Sequence, residues 1–150
     1  MNKYFNVALG GFVLLTGCSV KAPKLGVEQE HLMVCPSKPN CVNSQADDEA
    51  HYIEPLLAQG SSTKIKNDIL HVLKEFKGAG VVTVEDNYIR AEFTSTLFRF
   101  VDDVEFYFPE SLPEETKVHV RSASRVGHSD LGANKKRVEN IRREFTLINK

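Results

Sequence analysis

The stretch RSASRVGHSDLGANKKR, residues 121–137, decides how the C-terminal part of the chain is organised. It holds five cations, three serines, two glycines and a single acid, Asp130. This composition is too polar for a protein core and too specific for a linker, and it lies between a predicted strand and a predicted final helix. We therefore expect the stretch to form either a binding site or a brace where the strand gives way to the helix.

The segments on either side of this stretch have different periods. Residues 117–124 alternate with a period of two, which predicts a β-strand. One face carries Val118, Val120, Ser122 and Ser124, and the other carries His119, Arg121 and Arg125. Beyond the stretch, Asn134 is expected to cap a final helix whose apolar positions recur at helical intervals. These positions are Val138, Ile141, Phe145 and Ile148.

One helix and three more strands are predicted upstream. Ser61 and Ser62 offer an N-cap, and apolar residues at helical spacing continue to Phe76 before Gly78. Period-two patterns then predict strands over residues 81–85, 88–94 and 102–108. The predicted fold is α+β, with a single four-stranded antiparallel meander and one helix before and one after the sheet. We expect the helices to cover one face and water to cover the other.

The N-terminus has the pattern of a secreted, lipid-anchored protein. A short positive start precedes an apolar run of roughly twelve residues, which is too short to cross a bilayer. The sequence LTGC, residues 15–18, resembles the lipobox of bacterial lipoproteins. Residues 1–17 would then be a signal peptide and Cys18 the acylated first mature residue, with palmitate among the expected chains. The alternative is an ordinary signal or an uncleaved anchor in which Cys18 has no role.

The lipobox also predicts where the protein resides. Ser19 follows Cys18, and a residue other than aspartate at this place favours retention in the outer membrane, facing the periplasm. Residues 18–30 are polar and mixed, which predicts a tether. Residues 31–150 are then expected to form a single globular domain, since the roughly 133 residues left after the signal peptide are near the usual size of one domain.

Cys35 and Cys41 are expected to form a disulfide, because they are the cysteines that remain after Cys18 and the envelope is oxidising. Closing so short a loop would stabilise the fold by roughly 2 kcal/mol. A zinc site would need two further ligands, and the five histidines are scattered without paired spacing. A reactive dithiol is a weaker alternative still. We predict no metal and no cofactor.

Charge is distributed unevenly along a chain whose total is close to neutral. Residues 121–150 carry eight Lys and Arg against three Asp and Glu, about +5, whereas residues 1–120 carry eleven against seventeen, about −6. The first turn of the last helix contains Lys135, Lys136 and Arg137, although the N-terminal end of a helix dipole disfavours cations. Something negative is therefore expected nearby, and Asp130, the pair Asp102 and Asp103, and an external anion are the three candidates.

Three motifs carry a resemblance to a known family. They are Cys35-Pro36 with residues 39–42, residues 97–100 with 102–104, and the stretch of residues 121–137. In these motifs the chain resembles the domain of unknown function 1499 family over about residues 31–148. His128 stands where that family would lead us to expect an aromatic residue such as tyrosine. The resemblance implies that the motif residues form one unit, and it implies no reaction.

Three functions remain open for this unit. The first is a non-catalytic binding or assembly component of the envelope, in which Arg121, Arg125, Lys135 and Arg137 accept an anionic group of an envelope molecule. The second is a purely structural network of charged residues. The third is a hydrolase, with Ser124 paired to His119 or His128, because the adjacent residues 128–130 cannot align as a triad.

The predicted partners follow from these alternatives. We expect the membrane, through acylated Cys18, and an anionic envelope ligand or envelope protein. Nucleic acid is disfavoured by the compartment and by the nearly neutral charge. The residues expected to form the site or the brace are Arg99, Asp102, Asp103, Arg121, Ser122, Ser124, Arg125, Ser129, Asp130, Asn134, Lys135 and Arg137.

Overall fold

The computed structural model describes residues 23–109 and 116–149, and the predicted signal peptide and Cys18 lie outside these ranges. Within the described ranges, neither helix is long and apolar enough to cross a membrane. The elements in chain order are β1 (Val27–Glu28), β2 (His31–Leu32), β3 (Cys41–Asn43), β4 (Leu56–Ala58), α1 (Ser62–Glu75), β5 (Ala79–Val84), β6 (Tyr88–Thr94), β7 (Val101–Tyr107), β8 (Thr116–Ser124) and α2 (Ala133–Ile148).

The main sheet has six strands in the order β3-β8-β7-β6-β5, and β4 also pairs with β8. Strands β5 to β8 form the predicted antiparallel meander, so the α+β class is confirmed. The prediction of a single four-stranded sheet is wrong, because β3 and β4 add to the outer edge of β8. At three residues each, these strands are too short to show a period in the sequence. Strands β1 and β2 form a separate two-stranded sheet.

Helix α1 follows its sequence signals closely. The Ser61 hydroxyl caps it by accepting a hydrogen bond from the Lys64 N–H at 3.3 Å. Its buried face consists of Ile65, Ile69, Val72 and Leu73. The chain leaves the helix through Gly78, whose φ of +85° and close approach to the Thr94 carbonyl leave no room for a side chain.

Helix α2 begins one residue earlier than its predicted cap. Its N-cap position is Gly132, with φ 78°, and glycine has no side chain that could cap the helix. The expectation that Asn134 caps the helix is therefore wrong, because Asn134 is buried inside the first turn. Asp130 supplies the missing acceptors instead, taking hydrogen bonds from the N–H groups of Gly132 at 3.0 Å and of Asn134 at 2.7 Å. A carboxylate suits this place because it complements the helix dipole.

Both helices pack on the same face of the sheet and form the apolar core. The core side chains from the strands include Ile89, Ala91, Val104, Phe106, Val118 and Val120, and those from α2 are Val138, Ile141 and Phe145. Each large apolar side chain buried here contributes about 1.5–3 kcal/mol relative to leaving it exposed.

The opposite face of the sheet is not open to water, contrary to the sequence-based expectation. Residues 23–36, which we call the N-terminal segment, lie across it, and Val27 and Leu32 pack against Tyr88 and Tyr107. The Gly26 N–H also donates to the carboxylate of Glu105, at 3.1 Å. The described part of the predicted tether is therefore part of the folded domain, because these contacts hold residues 23–30 on the sheet.

Candidate functional site

The polar residues of strands β6, β7 and β8 form two clusters, one on each face of the sheet. The cluster beneath the N-terminal segment contains three guanidinium groups and three carboxylates, and we call it the charge layer. Its members are Arg90, Glu92, Asp103, Glu105, Arg121 and Arg125. Strand register brings them together, because Glu105 pairs with Arg90 on one side and with Arg121 on the other.

Arg125 and Asp103 form the most extensive ion pair of the charge layer. Arg125 donates from Nε to Asp103 Oδ2 and from Nη2 to Oδ1, both at 2.7 Å, and Nη2 also donates to Glu92. Arg90 binds the same two carboxylates, with Nε 3.1 Å from Asp103 Oδ1 and Nη2 2.7 Å from Glu92 Oε1. The hydrogen bonds to Asp103 raise the pKa of Arg125 above its ordinary value. The planar guanidinium group of Arg125 thus binds two carboxylates at once, those of Asp103 and Glu92.

Glu105 and Arg121 form the most deeply buried pair. Glu105 is fully buried and accepts from Arg121 Nη1 at 2.8 Å, from the Tyr88 hydroxyl at 2.8 Å and from the Gly26 N–H. The pKa of Tyr88 is raised, chiefly by burial and secondly by the charge of Glu105. The phenol therefore stays protonated and donates a hydrogen bond to Glu105. Among the described residues, the buried Nε of Arg121 has no hydrogen-bond partner. One donor in the charge layer therefore remains unused.

The second cluster faces the helices, and we call it the helix-face cluster. Its members are Asn40, Asp102, Ser122, Ser124, Asp130, Asn134 and Arg137. Asn134 is central to it. Its Nδ2 donates to the Asn40 carbonyl at 3.0 Å, to Ser124 Oγ at 2.9 Å and to Asp130 Oδ2 at 2.8 Å. Its Oδ1 accepts from the Ser122 hydroxyl at 2.6 Å. The amide therefore ties β8 to the start of α2.

Arg137 in the first turn of α2 is neutralised within the helix-face cluster. Its Nη2 lies 2.5 Å from Asp102 Oδ2, and its Nη1 donates to Ser122 and Asn134. The guanidinium group also lies 4.9 Å from the centroid of the Phe93 ring. Of the three candidate counterions predicted for this turn, Asp102 is the one that pairs with Arg137.

The structure separates the residues that the sequence predicted as one unit. Arg121, Asp103 and Arg125 belong to the charge layer, whereas Arg137 lies on the other face of the sheet. A single anion pocket made of Arg121, Arg125, Lys135 and Arg137 is therefore wrong. Within the part of the chain that the structure describes, Arg99 and Lys135 are exposed and form no hydrogen bond or ion pair with either cluster. Ser129 Oγ accepts a hydrogen bond from the Leu131 N–H at 3.3 Å. Strand alternation is the cause, because successive residues of β7 and β8 point to opposite faces.

Sequence reasoning missed Arg90, Glu92 and Glu105. The available signal was alternation: Glu105 shares a face with Asp103, and Arg90 shares one with Glu92. Their burial was not visible in the sequence, since it depends on the N-terminal segment that lies above them. Asn40 was also missed, because its main-chain carbonyl is what Asn134 contacts.

The predicted disulfide between Cys35 and Cys41 is confirmed, with their Cα atoms 5.7 Å apart. Cys41 pairs with Ala123 of β8, so the clip holds the N-terminal segment against the strand that carries Arg121. Over the described residues, no group of three or more His, Cys, Asp or Glu side chains is arranged to hold a metal ion.

A cleft of about 360 Å³ lies between residues 23–25 and 33–36 of the N-terminal segment and part of the charge layer, and we call it the N-terminal cleft. Its floor includes Asp103, Arg121 and Arg125, and its walls include the apolar side chains of Leu25, Met33, Val34 and Pro36. The volume lies within the range of small-molecule sites.

The hydrolase alternative predicted a contact between Ser124 and a histidine, and the structure does not form it. His119 and Ser124 lie on opposite faces of β8, and Ser124 contacts Asn134 instead.

An unpredicted contact joins His119 Nδ1 to the Ser44 hydroxyl at 3.2 Å. Burial, with smaller effects of His31 and Lys117, lowers the pKa of His119. Ser44 also accepts from the Val120 N–H at 2.9 Å, and among described residues no carboxylate contacts His119.

Comparison with known proteins gives a family for this chain. A search of curated proteins finds no match. A family model described as "Protein of unknown function (DUF1499)" matches residues 31–145, which include both clusters, the disulfide and α1, together with most of α2. The chain therefore belongs to the domain of unknown function 1499 family.

Proposed function

We propose that this protein is a non-catalytic, lipid-anchored binding component of the bacterial cell envelope. Its anchor is the acylated Cys18, and its binding site is the N-terminal cleft. The observation that carries the second half of this proposal is the N-terminal cleft itself. Arg121, whose buried Nε has no hydrogen-bond partner among the described residues, lies on its floor, and apolar side chains form much of its walls.

Support for the anchor comes from the N-terminal sequence pattern and from the disulfide. The apolar run and LTGC resemble a lipoprotein signal, and a disulfide is typical of proteins that leave the cytoplasm. An outer-membrane position, facing the periplasm, remains part of the proposal.

The chemistry of the cleft favours a small amphipathic molecule. The three arginines of the charge layer pair with three carboxylates, so the layer carries no excess positive charge to attract a highly charged anion. An acceptor oxygen, such as a carbonyl or a single carboxylate, would satisfy Arg121 Nε, since a buried donor without a partner is costly. An apolar chain would pack on Met33, Val34 and Pro36. Lipid-derived molecules of the envelope have this combination.

A second candidate function is purely structural, and the ion pairs of the charge layer favour it. Asp103 and Glu105 are buried, and each contacts at least one arginine. In that case the layer fixes the N-terminal segment on the sheet, and the cleft has no occupant.

Thermal unfolding of the lipidated chain in nanodiscs distinguishes the two candidates. Octanoate at about 10 mM should raise Tm by about 3–5 °C if Kd is near 1 mM. Octylammonium has the same chain length but no acceptor oxygen, and inorganic phosphate has no chain, so neither should raise Tm. Arg121→Lys keeps the charge next to Glu105 but removes the Nε donor, and it should abolish the octanoate effect.

A cleft-filling variant provides the matched control. Val34→Trp places an indole in the N-terminal cleft and should also abolish the octanoate effect, whereas Val82→Trp on β5 should retain it. Both valines are exposed, so neither change disturbs the core. If octanoate fails to raise Tm in the unsubstituted protein, or raises it equally in Val34→Trp, the binding function is wrong and the structural one stands.

A further inference from the structure

The turn between β6 and β7 exposes an unusual amount of apolar surface. Leu97, Phe98 and Phe100 are 79%, 67% and 52% exposed, and the two phenylalanine rings stack with centroids 5.5 Å apart. Two hydrogen bonds, from Ser95 N to the Phe100 carbonyl at 2.8 Å and from Phe100 N to Ser95 Oγ at 2.9 Å, hold the turn closed. The exposed rings are therefore presented on a preformed turn.

Cations without acidic partners lie in this turn and in the first turn of α2. Arg99 lies at its tip, and Lys135 and Lys136 lie in the first turn of α2; among the described residues none of the three forms an ion pair. The fully exposed Leu131 lies in the loop before α2. Asp130, in the same loop, is occupied by the N–H groups at the start of that helix. We call this combined surface the aromatic-basic tip.

The parts of the aromatic-basic tip lie at one end of the sheet. Arg125 N donates to the Val101 carbonyl at 3.3 Å, which fixes the loop after β8 beside the start of β7. The ion pair between Arg137 and Asp102 fixes the first turn of α2 at the same place. The β6–β7 turn immediately precedes Val101, so the apolar and basic side chains belong to one surface.

The described chain also begins near this end. Pro23 and Lys24 line the N-terminal cleft together with Ser124 and Arg125, the last residues before the loop after β8. Four residues separate Cys18 from Pro23 in the sequence, so the five steps between their Cα atoms can span at most about 18 Å. An acyl chain on Cys18 would therefore keep this end of the domain close to the bilayer surface.

We infer that the aromatic-basic tip docks on the phospholipid surface of the membrane that holds the anchor. Aromatic and leucine side chains enter the boundary between headgroups and acyl chains, and unpaired cations attract anionic headgroups. The inference takes from the proposed function only the position of Cys18, and it is independent of the N-terminal cleft.

The absence of tryptophan from the chain makes a direct test possible. Phe98→Trp places a unique fluorophore in the tip, and Val84→Trp places one at a half-exposed position at the other end of β5 and β6. The lipidated chain is reconstituted in vesicles of phosphatidylethanolamine and phosphatidylglycerol with brominated acyl chains. Fluorescence of Trp at position 98 should fall by about half, as expected for a side chain 5–10 Å deep, and that at position 84 should be nearly unchanged.

Charge variants and flotation complete the test. Arg99→Glu combined with Lys135→Glu and Lys136→Glu should reduce quenching at position 98 and leave flotation with vesicles intact. If the unsubstituted chain does not float with vesicles, the anchor and hence the proposed function fail. If it floats but position 98 is quenched no more than position 84, the docking inference fails, and cross-links from position 98 to a protein would then assign the surface to a protein partner.

Discussion

The two polar clusters on either side of strands β7 and β8 differ in the kind of interaction that satisfies them. The charge layer consists of buried ion pairs, with Asp103 and Glu105 almost inaccessible beneath a thin N-terminal segment. The helix-face cluster is organised around a neutral amide, Asn134, with one ion pair at its edge between Arg137 and Asp102. Both clusters draw on strands β7 and β8, and for the residues of these strands alternation decides the cluster to which each belongs.

The difference shows how much each cluster depends on complete pairing. A buried charge that loses its partner retains a large desolvation penalty, whereas a neutral amide leaves only hydrogen bonds unmade. The charge layer should therefore be more sensitive to loss of a single side chain. Loss of one side chain from the helix-face cluster should lower stability less, because Arg137 stays paired with Asp102 when Asn134 is removed.

The largest expected effect is at Glu105. Glu105→Ala leaves Arg121 buried without a carboxylate and should lower the free energy of unfolding by about 3–5 kcal/mol, measured by urea denaturation. Glu144→Ala, which breaks an exposed pair with Arg143, should cost about 1 kcal/mol or less. Adding Arg121→Met to Glu105→Leu should recover much of the stability. A loss below about 1 kcal/mol for Glu105→Ala would show that the pair is not desolvated as described.

A smaller effect is expected at Asn134. Asn134→Ala removes the acceptor of the buried Ser122 hydroxyl and the donor to the Asn40 carbonyl, so unfolding should become easier by about 2–3 kcal/mol. Asn140→Ala is the matched control on the same helix, where the amide contacts the exposed Arg143, and it should change stability by about 0.5 kcal/mol at most. If both changes are equal, the helix-face cluster does not tie β8 to α2.

The smallest effect concerns pH and His119, which lies on the same face as the charge layer. Burial lowers the pKa of His119 in the folded protein, so the unfolded chain binds a proton at higher pH than the folded one. The stability that neutral His119 contributes is fully present above the pKa of a free histidine, about 6.5, and is lost as pH falls below that value. His119→Gln should therefore flatten the decline in stability between about pH 7 and pH 5, in urea denaturation series at each pH.

A surface histidine serves as the control for that measurement. His71→Gln, on the exposed side of α1, is measured in the same series for comparison. A His119→Gln profile that falls as steeply as that of the unsubstituted protein would mean that burial of His119 is not linked to folding.

Much of the architecture was readable from local patterns. The helices and the meander of β5 to β8 follow from apolar periods, because these signals act within a few residues of one another. The Cys35–Cys41 disulfide follows from the cysteines that remain after Cys18 and from an oxidising compartment. The alternation also predicted that Ser122 and Ser124 lie on one face of β8 and that Arg121 and Arg125 lie on the other. Lipidation of Cys18 and the outer-membrane location rest on sequence alone and stay predictions.

Only the tertiary structure decided what covers each face and which charges meet. Strands β3 and β4 join β8 although each is too short to carry a period, and the expected tether covers a face that was expected to be wet. Glu105 became a buried partner of Arg121 through strand register and through the segment above it. The physical reason is that alternation specifies a direction for each side chain, whereas burial and pairing depend on residues that are distant in the sequence.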